Sequence, residues 1–283
     1  MNGIEILADE LSQQTKQEIF DLLNLAYDIK DKALNDLVRQ KILIAEANKR
    51  KMTLDEYLND YIHLRLKTDT TNLPSQNLNT IYKKNTSRNV WIQQLADSLY
   101  HKAHVRKYIY PPKQPHCAIN DLCVHYRGNL ESAVTFIVVS DYTCDRCIEF
   151  EKTLKRIFDN YHDKVKFGYV NYAAEPTLSA LACEAAGNQY KFWEFHEAIF
   201  NYKGMVDSTF IFNFAKTTHL NLQQFKQDLI SKKNYDRINS SIDELAKRGL
   251  FATPTIIIND RLVYKTNSYE ELTKLLDNEL QTQ

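Results

Sequence analysis

Two thiols separated by two residues, Cys144-Asp145-Arg146-Cys147, are the part of this chain best suited to chemistry. The spacing serves either a dithiol that opens and closes as a disulfide or one half of a zinc site. Position favours the first. Val134 to Val139 is an apolar, β-branched run that predicts a buried strand. After the thiols, Cys147, Phe150, Leu154, Ile157, Phe158 and Tyr161 recur at helical spacing. A cysteine at the start of that helix meets unpaired backbone N–H groups and the positive end of the helix dipole, both of which stabilise a thiolate. Cys144 is therefore expected to be the nucleophile. Cys147, one turn further in, is expected to resolve the mixed disulfide. Arg146 favours a nearby thiolate and Asp145 opposes it, so the reduction potential and the direction of electron flow stay open. A zinc reading needs two further ligands, and the available pair is Cys117 and Cys123. Their five-residue gap is longer than the roughly two to four residues usual in such sites. No metal and no cofactor is expected.

Five cysteines occur in all. Two close pairs lean toward an oxidising compartment. Cys117 and Cys123 are expected to form a structural disulfide, with a second redox relay or two free thiols as the alternatives. Cys183, among Leu178, Leu181, Ala182 and Ala185, reads as a buried small apolar residue. Asp141, three residues before Cys144, is a candidate buried acid that handles protons during exchange. Its other reading, of equal weight, is a residue that caps backbone N–H groups on the approach to the helix. Trp193 and His196 read as packing residues.

These groups need elements to hold them. The chain has 283 residues, enough for two domains. Lys plus Arg and Asp plus Glu each total 36, so nothing asks for nucleic acid or an anionic membrane. No apolar run is long enough to span a bilayer. Met1 to Glu10 lacks the pattern of a signal peptide, so the chain is expected either to be cytosolic or to have lost such a peptide. Residues 1–105 read as an all-α domain. Leu34, Leu37, Val38, Ile42 and Ala45 share a helix face, and Thr53-Leu54-Asp55-Glu56 is a capping box. A polar loop is expected from Thr68 to Asn79, and a further helix from about Arg88. Val105 to Tyr110 reads as a short strand. Pro111, Pro112 and Pro115 make 106–117 a stiff connector.

From residue 118 the pattern is α/β. Val165 to Val170 is a second strand, and helices fill about 176–250. Thr255 to Ile258 and Arg261 to Tyr264 form a hairpin about Asn259-Asp260. Ser268 to Glu271 caps a last helix. The order is that of a thioredoxin fold with a helical insertion.

Three segments carry a family resemblance. Ser140-Asp141-Tyr142-Thr143-Cys144-Asp145-Arg146-Cys147 after an apolar strand resembles the active-site segment of DsbA-like proteins. Gly187 to His196 is similar to that family's G-x-F-W-x-x-H helix start, and Phe251-Ala252-Thr253-Pro254-Thr255 to its cis-proline loop. The resemblance covers roughly residues 120–283. It implies a thioredoxin fold and dithiol–disulfide exchange with cysteine-containing protein clients, outside the cytosol in the periplasm or cell envelope; a redox partner protein is expected beside the clients. It also implies a cis Thr253–Pro254 bond that turns the Thr253 backbone toward the dithiol, ready to pair with an extended client. Asp145-Arg146 departs from the Pro-His common in strong oxidants of the family. Residues 30–66 resemble the helical chaperone segment of SurA-like proteins, through Leu34 to Ala47 and Lys49-Arg50-Lys51-Met52-Thr53. This implies an N-terminal domain that handles clients or joins copies into a homo-oligomer. The competing reading of the whole chain is a chaperone or metal-handling binding protein whose dithiol is not catalytic.

Overall fold

The computed structural model describes residues 13–68, 78–119, 121–264 and 268–282. The chain divides into two compact units, residues 24–112 and residues 1–23 with 113–283. This differs from the expected boundaries at 105 and 117, for a physical reason. The first turns of α1 (Lys16–Lys49) are built into the sheet-containing unit. Phe20 is 4% exposed and packs with Cys117, Ile119, Leu245, Leu250 and Leu262. The Gln17 amide donates to Thr255 Oγ1 at 2.6 Å and accepts from the Phe251 N–H at 2.9 Å. The Gln17 N–H reaches the carbonyl of Gly249. Gly249 has φ +78°, and a Cβ there would collide with the Gln13 backbone, so glycine is required at this approach.

Residues 24–112 hold the rest of α1, α2 (Leu54–Thr68) and α3 (Leu78–Lys102). The capping box forms: Glu56 N–H donates to Thr53 Oγ1, and the Glu56 carboxylate accepts from the Thr53 N–H at 2.7 Å. The core of this unit is small, built on Leu43, Ala47, Tyr57 and Ala96 with Leu58, Leu95 and Leu99 against them. The expected α1 stripe is rotated: Leu43 and Ala47 are buried, whereas Leu37 and Ala45 are exposed. Helix α3 starts at Leu78, earlier than the expected Arg88, and the expected loop falls mostly outside the described residues. Val105 to Tyr110 is irregular rather than a strand. Its alternation of apolar and polar residues finds no neighbouring strand to pair with among the described residues.

The other unit is organised by five strands: β1 (His125–Gly128), β2 (Thr135–Ser140), β3 (Lys166–Asn171), β4 (Thr255–Ile258) and β5 (Arg261–Val263). Their order is β1-β3-β2-β4-β5, with β2 and β3 parallel and every other pair antiparallel. Alternation along β2 sends Phe136 and Val138 to one face and Ile137 and Val139 to the other. The first face is covered by α4 (Asp145–Tyr161) and α10 (Tyr269–Gln281) through Phe150, Leu154, Ile157, Leu272 and Leu276. Five helices lie between β3 and β4: α5 (Leu178–Gly187), α6 (Phe192–Asn201), α7 (Ser208–Thr217), α8 (Leu222–Leu229) and α9 (Lys232–Lys247). They enclose a further core that includes Cys147, Cys183, Phe195 and Phe225. Asn259 and Asp260 both have positive φ, 47° and 58°, the two-residue turn that matches strand twist. This is a thioredoxin fold with a helical insertion, preceded by a helical region.

Candidate functional site

Strand β2 ends at Ser140 and α4 begins at Asp145, so the four residues between them must turn the chain and present a thiol. Asp141 makes the turn. Its Oδ1 accepts from the Thr143 N–H and hydroxyl, both at 2.9 Å, and its carbonyl accepts from the Cys144 N–H. Of the two readings of Asp141, this geometry is that of the backbone-capping residue. Cys144 stands at the N-cap of α4 with extended backbone, φ −86° and ψ 117°. Its carbonyl accepts from the N–H groups of Cys147 and Ile148 at 2.9 and 3.0 Å.

The two thiols differ in surroundings. Cys144 is partly exposed, and Cys147 is 1% exposed within the core under the helices. Partial burial pushes the Cys144 thiol up, but hydrogen bonds from the side chains of Cys147 and Thr253 and from the backbone N–H groups of Cys147 and Arg146 outweigh it. The Cys144 pKa lies below that of an ordinary thiol. Burial pushes Cys147 up to about 11, against a hydrogen bond from Ser140. The exposed sulfur is thus the one that ionises first.

Opposite the dithiol lies the loop before β4. The Thr253–Pro254 bond is cis, and the Cys144 thiol donates to the Thr253 carbonyl at 3.7 Å. The loop is tied at both ends: Thr255 Oγ1 donates to the Ala252 carbonyl, and Gln17 grips both Phe251 and Thr255. Cys144, Cys147, Thr253 and Pro254 therefore meet, although the last two lie more than a hundred residues away in sequence. Gln17 escaped the sequence reading, as did the contact of Ser140 with Cys147. A single glutamine in a helix and a serine closing an apolar strand carry no signal of their partners. Tyr142 and His196 are both buried and joined at 3.0 Å, with Glu151 3.6 Å from the other side of the imidazole.

All five cysteines are free thiols in the structure, so the structural disulfide expected between Cys117 and Cys123 is not formed there, nor is the 144–147 bond. Cys117 and Cys123 are each committed elsewhere. Cys117 packs beside Phe20 and Ile119, with its N–H bonded to the Asp260 carbonyl at 2.7 Å. Cys123 has its N–H on Ser241 Oγ and its sulfur beside His125 and Glu184. Alkylation in denaturant of the air-oxidised protein should therefore count three free thiols, Cys117, Cys123 and Cys183, and mass spectrometry should find one disulfide, 144–147. A 117–123 peptide pair in that digest would contradict the structure.

Comparison with known proteins adds to this geometry. A family model described as thioredoxin matches residues 123–278; it does not reach residues 30–66. The chain is 28% identical over 167 residues to disulfide bond formation protein D of Bacillus subtilis, covering 54% of this chain and 75% of that protein. The crystal structure of oxidised BdbD from Bacillus subtilis superposes with a TM-score of 0.52 at 26% identity, covering 59% of this chain and 97% of that one. The chain is also 24% identical over 153 residues to Na(+)/H(+) antiporter NhaA 1 of Salinispora arenicola, covering 52% of this chain but only 23% of the antiporter. No helix among the described residues is long and apolar enough to cross a membrane.

Proposed function

The chain belongs to the thioredoxin family, and on that premise we propose that it is a thiol:disulfide oxidoreductase that exchanges disulfides with cysteine-containing proteins through Cys144 and Cys147. The observation that carries this reading is the asymmetry of the pair: an accessible sulfur of lowered pKa above a buried sulfur of raised pKa. In the forward step the Cys144 thiolate attacks a disulfide sulfur of the client. The old S–S bond breaks, and its departing sulfur leaves as a thiolate. Cys147 then gives up its proton and attacks Cys144, which closes the 144–147 disulfide and frees the second client thiol. Oxidation of a client runs the same steps in reverse. The hydrogen bonds that lower the Cys144 pKa stabilise the reduced protein, which favours the direction that hands a disulfide to a client.

The Thr253 carbonyl beside Cys144 supports a role for that loop in aligning an extended client strand. A separate redox partner protein would restore the active oxidation state, and the setting is extracytoplasmic, the periplasm or cell envelope. Residues 24–112 would handle clients or join copies of the chain; exposed Leu25, Ile29, Leu37 and Leu64 support this.

The test is the pH dependence of alkylation in the reduced protein. A folded pKa below that of a free thiol means that the stabilised thiolate is fully present at high pH and is lost as pH falls through the Cys144 value. The fast-reacting thiol should map to Cys144, with a midpoint below that of a small free thiol. Cys147 should stay unreactive until pH nears 11. A midpoint at or above the ordinary thiol value would remove the basis of the proposal.

A further inference from the structure

Away from the dithiol, three potential metal ligands converge. Cys123 lies two residues before β1, His125 opens it, and Glu184 projects from α5. Cys123 Sγ lies 3.7 Å from His125 Nε2 and 3.6 Å from Glu184 Oε1, and Nε2 and Oε1 are 2.6 Å apart. All three donor atoms fall within 4.8 Å of one another. We propose that Cys123, His125 and Glu184 bind a divalent cation of the zinc class, with a fourth coordination position open.

The convergence decides between two chemistries. In a nucleophilic Cys–His–carboxylate array, the imidazole uses one nitrogen toward the thiol and the other toward the carboxylate. Here a single nitrogen, Nε2, faces both. That places three lone-pair donors around one point, as a metal requires. The triangle also has the right size. Zn–S of about 2.3 Å with Zn–N and Zn–O of about 2.0–2.1 Å at tetrahedral angles implies sulfur-to-N/O edges of about 3.5 Å and an N-to-O edge of about 3.3 Å. Two edges already match, and the third, now a hydrogen bond, needs to open by about 0.7 Å. Thiolate, imidazole and carboxylate together suit zinc better than magnesium or calcium, which take oxygen ligands.

The surroundings hold the ligands in place. The His125 ring stacks on Phe192 with centroids 3.5 Å apart and planes 9° from parallel. Ser241 Oγ fixes the Cys123 backbone. Arg237 holds the other oxygen of Glu184, so Oε1 is left to face the cluster. Arg237 also balances the Glu184 charge when no metal is present. On binding, the Cys123 thiol loses its proton to solvent, and the metal gains one sulfur, one nitrogen and one oxygen donor. None of the three ligands belongs to the dithiol site, so this inference stands apart from the proposed function.

The experiment uses full-length protein with Cys144→Ser and Cys147→Ser, which removes the redox dithiol as a competing ligand, in a non-thiol reductant. Zinc titration by calorimetry should show one equivalent. Cobalt in its place should give a thiolate-to-metal charge-transfer band. Adding Cys123→Ser should abolish that band and weaken zinc binding by more than about 100-fold, beyond what loss of an outer-shell partner costs. Glu184→Gln should weaken zinc binding while keeping the cobalt–thiolate band at saturating metal, a check that does not depend on folding of the cysteine variant. No stoichiometric binding, or binding untouched by Cys123→Ser in a folded protein, would overturn the proposal.

Discussion

Cys144→Ser should reduce disulfide exchange to the uncatalysed rate, and Cys147→Ser should instead accumulate covalent client adducts through Cys144. The difference follows from where the two sulfurs lie. Cys144 occupies the N-cap of α4, partly exposed, with a lowered pKa. No other thiol has that environment: Cys117 and Cys183 are buried with raised pKa values, and Cys123 is raised as well. Removing Cys144 leaves nothing to attack. Removing Cys147 leaves the attack intact and takes away the sulfur that resolves the mixed disulfide. Non-reducing electrophoresis of Cys147→Ser incubated with a disulfide-containing client, followed by peptide mapping, reads the outcome. Adducts mapped to Cys147 in the complementary Cys144→Ser variant, or turnover retained there, would reverse the assignment.

Phe20→Ala should destabilise the unit that carries the dithiol by about 3–5 kcal/mol, the usual cost of emptying a buried phenylalanine site. Phe20 sits among Cys117, Ile119, Ile137, Val139, Leu250 and Ile257, on the face of β2 opposite α4. Gln17→Ala should cost about 1–3 kcal/mol, because it strips the side-chain partner from the Phe251 N–H and one of the two partners of the Thr255 hydroxyl. It should also slow exchange, since those two contacts brace the Thr253–Pro254 loop. Leu22 on the same helix is exposed, and Leu22→Ala serves as the control. Denaturant unfolding followed by a probe in residues 113–283 measures all three. If Phe20→Ala unfolds at the same midpoint as the control, the start of α1 is not part of that core. By the same reasoning, a fragment beginning at Lys113 should be much less stable than the full chain.

The elements that hold the dithiol were legible because each carries a local pattern. β2 is an apolar run, α4 has a strong helical period, and Asn259-Asp260 announces its turn. Three matched segments then identified the cis-proline loop, which no pattern in isolation would single out. What escaped notice depends on contacts remote in sequence. β1 is only four residues, His125 to Gly128, half polar, and becomes a strand by pairing with β3. The roles of Gln17 and Phe20 arise from partners remote in sequence: those of Gln17 lie more than two hundred residues away, and those of Phe20 begin at Cys117. Val105 to Tyr110 shows the converse: alternation without a neighbour does not make a strand. The α1 stripe failed more subtly, since small shifts in phase along a long helix decide whether Leu37 or Leu43 faces inward.

The clasp between Gln17 and the loop at Phe251 to Thr255 also sets an order of assembly. During synthesis the chain emerges from its amino end, and Gln17 is made 234 residues before its nearer partner in that clasp. Residues 24–112 have their own core and can collapse early, whereas the beginning of α1 must wait for β4. Closing so long a loop is costly in entropy, but each doubling of length adds only about 0.6 kcal/mol, so the delay is a matter of sequence order more than of energy. Until β4 arrives, Phe20 and the exposed Ile19, Leu22 and Leu23 beside it form one apolar patch on the nascent chain. The start of α1 is thus made long before β4 and is sealed into the sheet only after it.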